Sequence, residues 1–304
     1  MYRQLTEKKQ GYKTAKNRQL PVIKAIIIFI LLAVITSVSI CWAVTHPPRH
    51  QIARTPASKG LIYHDVTFPS RVDNLEIKGW LIPSPKSDRT VIIAHGYRNN
   101  RLQDDVPALS LAGGLVQAGY NVLMFDFRNC GESPGDITSW GLYEVRDLLG
   151  AIDFIRKQKD ISHRIALFGF SMGASTSILA GAREPAVDAV IADSPFADLK
   201  KHLSNKTYPL GFVLLPEFSL ITGLDPGKVS PINALPLLSP KPLMLIHGDA
   251  DRIVPVSNSR ELSRAYGDNA ILWIVPGAGH LKAYEKAGPA YLAKVINFLN
   301  ASLK

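Results

Sequence analysis

The 304-residue sequence predicts an α/β fold: a doubly wound, mostly parallel sheet with a small cap insertion, preceded by one N-terminal transmembrane helix. Three observations predict it. From about residue 61 onward, short apolar runs alternate with stretches of helical periodicity, the pattern of βαβ units. One run, Ile165–Phe168, passes into a small-residue helix start through Gly169-Phe170-Ser171-Met172-Gly173. Twenty uncharged residues, Ala25–Val44, follow directly on a basic tail.

The tail carries most of the charge. Residues 1–24 hold seven basic groups and one acid, which is +6 of the formal net charge of +10. The remaining 28 basic and 24 acidic groups nearly balance, so a basic nucleic-acid face is not expected. About twenty apolar residues span a bilayer, and Trp42 stands near the outer end of the run, where an interfacial aromatic belongs. A basic flank before the span predicts a single-pass cell-membrane protein with a cytoplasmic N-terminus and the C-terminal bulk outside. A cleaved signal peptide is the alternative. The long basic region, the length of the apolar run and the absence of a following A-x-A site favour the uncleaved anchor. The sequence thus divides into a basic tail at 1–24, an anchor at 25–44, a Pro-containing linker at 45–60 and a folded domain at 61–304.

Within that domain, Leu61–Pro69 and Leu75–Pro83 read as two strands around a turn. Thr90–Ala94 is continuously apolar, as a central strand is. Val106–Ala118 is helix-like, Asn121–Phe127 is a buried strand, and Leu142–Lys157 has apolar residues at helical spacing. After the Ser171 strand and helix come strands at Ala186–Ala192 and Pro242–His247, a helix at Ser257–Tyr266, a strand at Ala270–Val275 and a last helix at Tyr291–Leu299. Residues 198–235 break the alternation. Their length and apolar clusters (Leu210, Phe212–Leu215, Phe218, Leu220, Ile221) predict a cap over a pocket.

In such sheets ligands gather beyond the carboxyl ends of the strands, and the candidate groups fall there. Glycine at 169 and 173 permits a sharp strand-to-helix reversal that lifts the Ser171 hydroxyl into the open. The N–H of Met172, at a helix start, and that of Tyr97, after His95-Gly96, are the expected oxyanion donors. His95 is read as a brace of that loop rather than as a base. Asp249 and Asp251 compete for the role of acid. Asp251 is preferred, and Asp249 is expected to tie the turn. His280, approached through Gly277-Ala-Gly279, is the expected base. Cys130 is the only thiol in the folded domain, so no internal disulfide is expected there. No Cys/His cluster has zinc spacing and no G-x-G-x-x-G follows a strand, so no metal or dinucleotide cofactor is expected.

From about Thr67 onward the chain resembles the α/β-hydrolase superfamily, and most of all its membrane-anchored bacterial serine hydrolases of the S33-type aminopeptidase-like or esterase kind. The resemblance rests on His95-Gly96, Asp126-Phe-Arg-Asn-Cys-Gly-Glu-Ser-Pro-Gly135, Gly169–Gly173, Asp193-Ser-Pro195, His247-Gly-Asp-Ala-Asp251 and Gly277–His280. Asn129 departs from the usual glycine, but asparagine tolerates the left-handed conformation that the turn needs. The order Ser171, Asp251, His280 is the order of that superfamily. The resemblance implies a serine hydrolase acting through an acyl-enzyme on a small-molecule acyl substrate. An ester is expected ahead of a thioester or amide, because an apolar cap suits an acyl chain and ester cleavage needs less protonation of the leaving group. An acyltransferase with the same residues, or a non-catalytic member of the fold, is the alternative.

Overall fold

The structure is a computed structural model. It describes residues 2–159, 161, 163–207, 218–220 and 222–304, with 2–20 and 206–207 by backbone only. Of the apolar residues that suggested the cap, Leu210, Phe212–Leu215 and Ile221 lie outside the described residues.

One continuous helix, α1 (Tyr2–Thr45), covers the basic tail and the apolar run. Within it, Pro21–Thr45 is long and apolar enough to cross a membrane, with a mean hydropathy of 2.7. An irregular stretch and a 3₁₀ turn at Pro56–Lys59 lead to the sheet. This connection is tied down: the Asn100 side-chain amide donates to the carbonyls of His50 and Gln51, and the Arg49 guanidinium donates to the Gly135 carbonyl.

Eight strands form one sheet: β1 (His64–Pro69), β2 (Glu76–Ile82), β3 (Arg89–Ala94), β4 (Asn121–Phe125), β5 (Arg164–Phe170), β6 (Ala189–Asp193), β7 (Leu243–Gly248) and β8 (Ala270–Val275). Their spatial order is β1-β2-β4-β3-β5-β6-β7-β8. Pairing is antiparallel for β1–β2 and β2–β4, and parallel from β4 onward. The central strands β4 and β6 are buried along their whole length, because helices cover both faces. This is why they read as unbroken apolar runs rather than as alternating ones.

One face of the sheet packs against α3 (Glu144–Arg156), α4 (Met172–Arg183), α6 (Pro231–Leu238) and α7 (Ser257–Tyr266). The other packs against α2 (Ala108–Gln117), α8 (Ala283–Ala287) and α9 (Pro289–Ser302). The stretch read as a cap opens with α5 (Leu199–Thr207). Its last part belongs to α6, whose Leu235 and Leu238 are buried in the sheet core beside α4. The register aligns Ala94 with Gly169, Phe170 with Asp193 and Gly248 with Val275. The loops after β3, β5, β6, β7 and β8 therefore open on one edge.

Candidate active site

Ser171 stands between β5 and α4 at φ 52°, ψ −113°, a backbone region that costs a non-glycine residue about 1–3 kcal/mol. Two glycines hold it there. A methyl group at Gly173 would strike the carbonyl oxygens of Ala94 and His95, and one at Gly169 would strike the backbone of Gly173. The close approach of strand, turn and neighbouring loop thus requires glycine at both places. The Ser171 N–H donates to the Asp193 carbonyl at 2.8 Å, fixing the turn to the end of β6. Met172 opens α4, so its N–H has no acceptor within the helix.

His280 joins the loops. Its Nε2 lies 3.0 Å from Ser171 Oγ, and its Nδ1 lies 2.7 Å from Asp251 Oδ2. Both contacts fit hydrogen bonds in which the serine hydroxyl donates to Nε2 and Nδ1–H donates to the carboxylate. Asp251 is held in turn. Its Oδ1 accepts from the N–H groups of Ile253 and Val254 at 2.8 and 2.9 Å. Burial pushes the Asp251 carboxyl up, but the hydrogen bonds from His247 and His280 outweigh burial and hold it well below the usual carboxylate range. Asp249 does not reach His280. It is exposed, and its Oδ1 accepts the Gly277 N–H at 2.6 Å, tying two loops together.

His95 has both ring nitrogens engaged. Nδ1 donates to the Gly96 carbonyl at 2.8 Å, and Nε2 accepts from the Phe127 N–H at 2.9 Å. Burial lowers its pKa and keeps it neutral, so it braces the loop after β3. Asn129 takes the left-handed conformation, at φ 57°. Cys130 is buried, and burial pushes its thiol far up, so it stays protonated.

Around Ser171 the described residues enclose about 180 Å³, walled by Tyr97, Trp140, Met172, Phe196 and His202 among others. The Tyr97 and Trp140 rings stack with centroids 4.0 Å apart. Gln103 Oε1 accepts the Gly96 N–H at 2.5 Å, which fixes its amide orientation. Among the described residues, Gln103 Nε2 and Trp140 Nε1 are buried donors without a partner. The arrangement joins a serine hydroxyl, an imidazole and a carboxylate in one relay beside a small aromatic-walled pocket.

Sequence reasoning named Ser171, His280, Asp251, Tyr97 and Met172, and all five lie around this cavity or in its hydrogen-bond relay. It missed four contributors. The His247-Gly-Asp-Ala-Asp251 stretch stood out as a motif, but the second imidazole on Asp251 did not. Nothing local marks Gln103, Trp140 or the carbonyl of Val44, which accepts from the Tyr97 hydroxyl, because each meets the site only through the tertiary fold.

The sheet order, the strand-to-helix serine and the strand-end relay define an α/β-hydrolase. The chain belongs to the S15 family, described as X-Pro dipeptidyl-peptidase, whose model matches residues 73–231. Among curated proteins it is 33% identical over 242 residues to YfhR of Escherichia coli O157:H7, itself uncharacterized, covering 76% of this chain and 78% of that one. It is 26% identical over 167 residues to the polyketide transferase af380 of Aspergillus fumigatus, covering 53% of this chain and 55% of that one. Among solved structures the Pyrococcus furiosus esterase Pf2001 superposes with a TM-score of 0.72 at 30% identity, covering 85% of this chain and all of that one.

Proposed function

We propose that the protein is a membrane-tethered serine hydrolase that cleaves carboxylic esters. The observation that carries this reading is the His280 bridge between Ser171 Oγ and Asp251 Oδ2. Ser171 Oγ attacks the ester carbonyl while its proton passes to His280 Nε2. The N–H groups of Tyr97 and Met172 hold the oxyanion. Collapse expels the alcohol, which takes the proton from His280, and leaves an acyl-Ser171 ester. Water then attacks that ester, gives a proton to His280 and releases the carboxylic acid, and the proton returns to Ser171 Oγ. Asp251 stays ionised throughout and fixes the His280 tautomer.

The 30% identity to an esterase and the apolar aromatic pocket favour an ester over an amide. The likeness to a polyketide transferase favours a second reading, in which an acceptor other than water takes the acyl group. In both readings α1 is an uncleaved anchor, the tail is cytoplasmic and the hydrolase domain lies outside. The test is labelling of Ser171 by a fluorophosphonate, followed by turnover of p-nitrophenyl esters and aminoacyl amides with and without an added nucleophilic acceptor. Absence of labelling overturns the hydrolase reading. Amide turnover exceeding ester turnover overturns the ester reading, and an acyl-acceptor product overturns simple hydrolysis.

A further inference from the structure

The outer end of α1 does not leave the hydrolase domain free. Ser37, Cys41 and Thr45 are 4%, 4% and 1% exposed. They fall four residues apart on one helix face. Their neighbours Val38, Ile40 and Trp42 are 41%, 48% and 60% exposed. Cys41 packs with Phe218 and Leu224, and Val44, Ile137, Leu142 and Tyr143 surround this cluster. The end of the helix is also hydrogen-bonded to the active-site wall. The Tyr97 hydroxyl donates to the Val44 carbonyl at 2.7 Å, and the Thr138 N–H donates to the Thr45 carbonyl at 2.7 Å. Burial raises the Tyr97 hydroxyl to about 12, so it remains a donor. Tyr97 carries the expected oxyanion N–H, and Trp140, two residues after Thr138, stacks on its ring.

The length of the helix then sets the depth of the site. Crossing a hydrocarbon core of about 30 Å takes about twenty residues at ~1.5 Å each. Counted from Ala25, just after Lys24, the span ends at Val44. Cys41, where the packing on Phe218 and Leu224 begins, lies about 24 Å along it at that rise, so roughly the last 6 Å of the core runs beside the domain rather than clear of it. The domain surface that meets Cys41 therefore dips into the outer leaflet. Leu220, on the same segment as Phe218, is 86% exposed, as a side chain directed at lipid is.

We infer that α1 is docked against the back of the active-site wall and that the pocket opens at the outer leaflet, so that the enzyme takes acyl esters dissolved in the bilayer in preference to esters free in water. This rests on the serine-hydrolase and anchor readings above. It gives the Tyr97–Val44 contact a purpose that a mere tether would not need. A flexible tether holds an enzyme near a membrane, whereas a docked helix fixes which way its pocket faces.

The test uses the full chain in phosphatidylcholine nanodiscs. Two fluorogenic butyrate esters serve as probes, one on a sulfonated alcohol confined to water and one on an alkylated alcohol confined to the bilayer. The bilayer ester is expected to show at least about tenfold higher turnover. Cys41→Trp and Ser37→Trp, on the docked face, are expected to remove most of that preference. Val38→Trp and Ile40→Trp, on the lipid face, are expected to leave both rates within about twofold. An environment-sensitive thiol dye on Leu220→Cys, with native Cys41 and Cys130 buried, is expected to be quenched by brominated lipid. Loss of fluorophosphonate labelling in the parent protein marks failure of the hydrolase reading, and release by carbonate marks failure of the anchor. With both of those intact, equal turnover of the two esters, equal effects on the two helix faces, or an unquenched dye overturns the present inference.

Discussion

His247 Nε2 approaches Asp251 Oδ2 to 3.3 Å, on the same carboxylate oxygen that receives His280. The His247 ring is fully buried. Its Nε2 donates to the Val254 carbonyl at 2.8 Å, and its Nδ1 lies 2.7 Å from Ser259 Oγ. A buried imidazole thus clamps the loop that carries Asp251 against the end of β7. His247→Leu is expected to lower kcat by between about tenfold and a hundredfold, through displacement of Asp251, with KM little changed. His247→Gln retains a donor for the Val254 carbonyl and is expected to recover part of the loss. Steady-state kinetics on one ester checks the ranking.

The two carboxylates after β7 have different partners, and their substitutions are expected to differ accordingly. Asp251→Asn leaves His280 with a partner that favours the wrong tautomer. Turnover is expected to fall by about 10⁴-fold, as in serine proteases with the same change. Asp249→Asn only weakens the tie to Gly277 and is expected to stay within about tenfold of the parent. The reverse ranking in measured kcat would assign the acid to Asp249.

Asp193 is fully buried at the end of β6, where the Tyr291 hydroxyl donates to Oδ2 at 2.6 Å and the Ser194 hydroxyl to Oδ1 at 2.8 Å. Burial raises its carboxyl pKa, against the lowering effect of these two hydrogen bonds. A raised carboxyl contributes most to stability where it is protonated, below the unfolded value near ~3.9, and that contribution is lost as pH rises through the folded value. Tyr291→Phe removes a donor to the charged form and raises the folded value further. The variant is expected to lose about 2 kcal/mol, or roughly 4–8 °C in Tm, with a larger loss at pH 8 than at pH 5. Thermal unfolding at the two pH values checks both size and sign.

Most of the sheet was legible because its strands are buried on both faces and its helices on one. The run Val122–Phe125 and the spacing of Val145, Leu148, Leu149 and Ile152 carry those periods openly. Ser171 was legible because the steric demand of its turn is met within five residues, by Gly169 and Gly173. The distinction between Asp249 and Asp251 was legible as a preference, since the chain after Asp251 folds back to donate two N–H groups to it. Trp140 was not legible. Its stacking on Tyr97 joins positions 43 apart, and no local pattern announces it. The docking of Val44 on Tyr97 was hidden for a different reason. The apolar run of α1 holds other small polar residues, Thr36 and Ser39, that stay exposed, so nothing in the sequence singles out Ser37, Cys41 and Thr45 as its covered face.

On the ester-hydrolase reading, the pocket beside Ser171 is expected to limit the acyl group. A cavity of about 150 Å³ accommodates a molecule the size of benzene, so the ~180 Å³ beside Ser171 suits about six carbons. Each buried methylene is worth about 0.8 kcal/mol, which caps the gain in kcat/KM at roughly threefold to fourfold per carbon while the pocket fills. On a series of p-nitrophenyl esters the gain is expected to stop near six carbons and turn into a loss beyond that length. Trp140→Ala removes one aromatic wall without touching Ser171, His280 or Asp251. It is expected to move the optimum toward longer chains while labelling by a small fluorophosphonate stays within about twofold of the parent. An unchanged chain-length profile in Trp140→Ala would mean that the indole does not bound the acyl group. Phe196, on the loop after β6, is then the next side chain to shorten, because it too lines the cavity and is buried to 2% exposure.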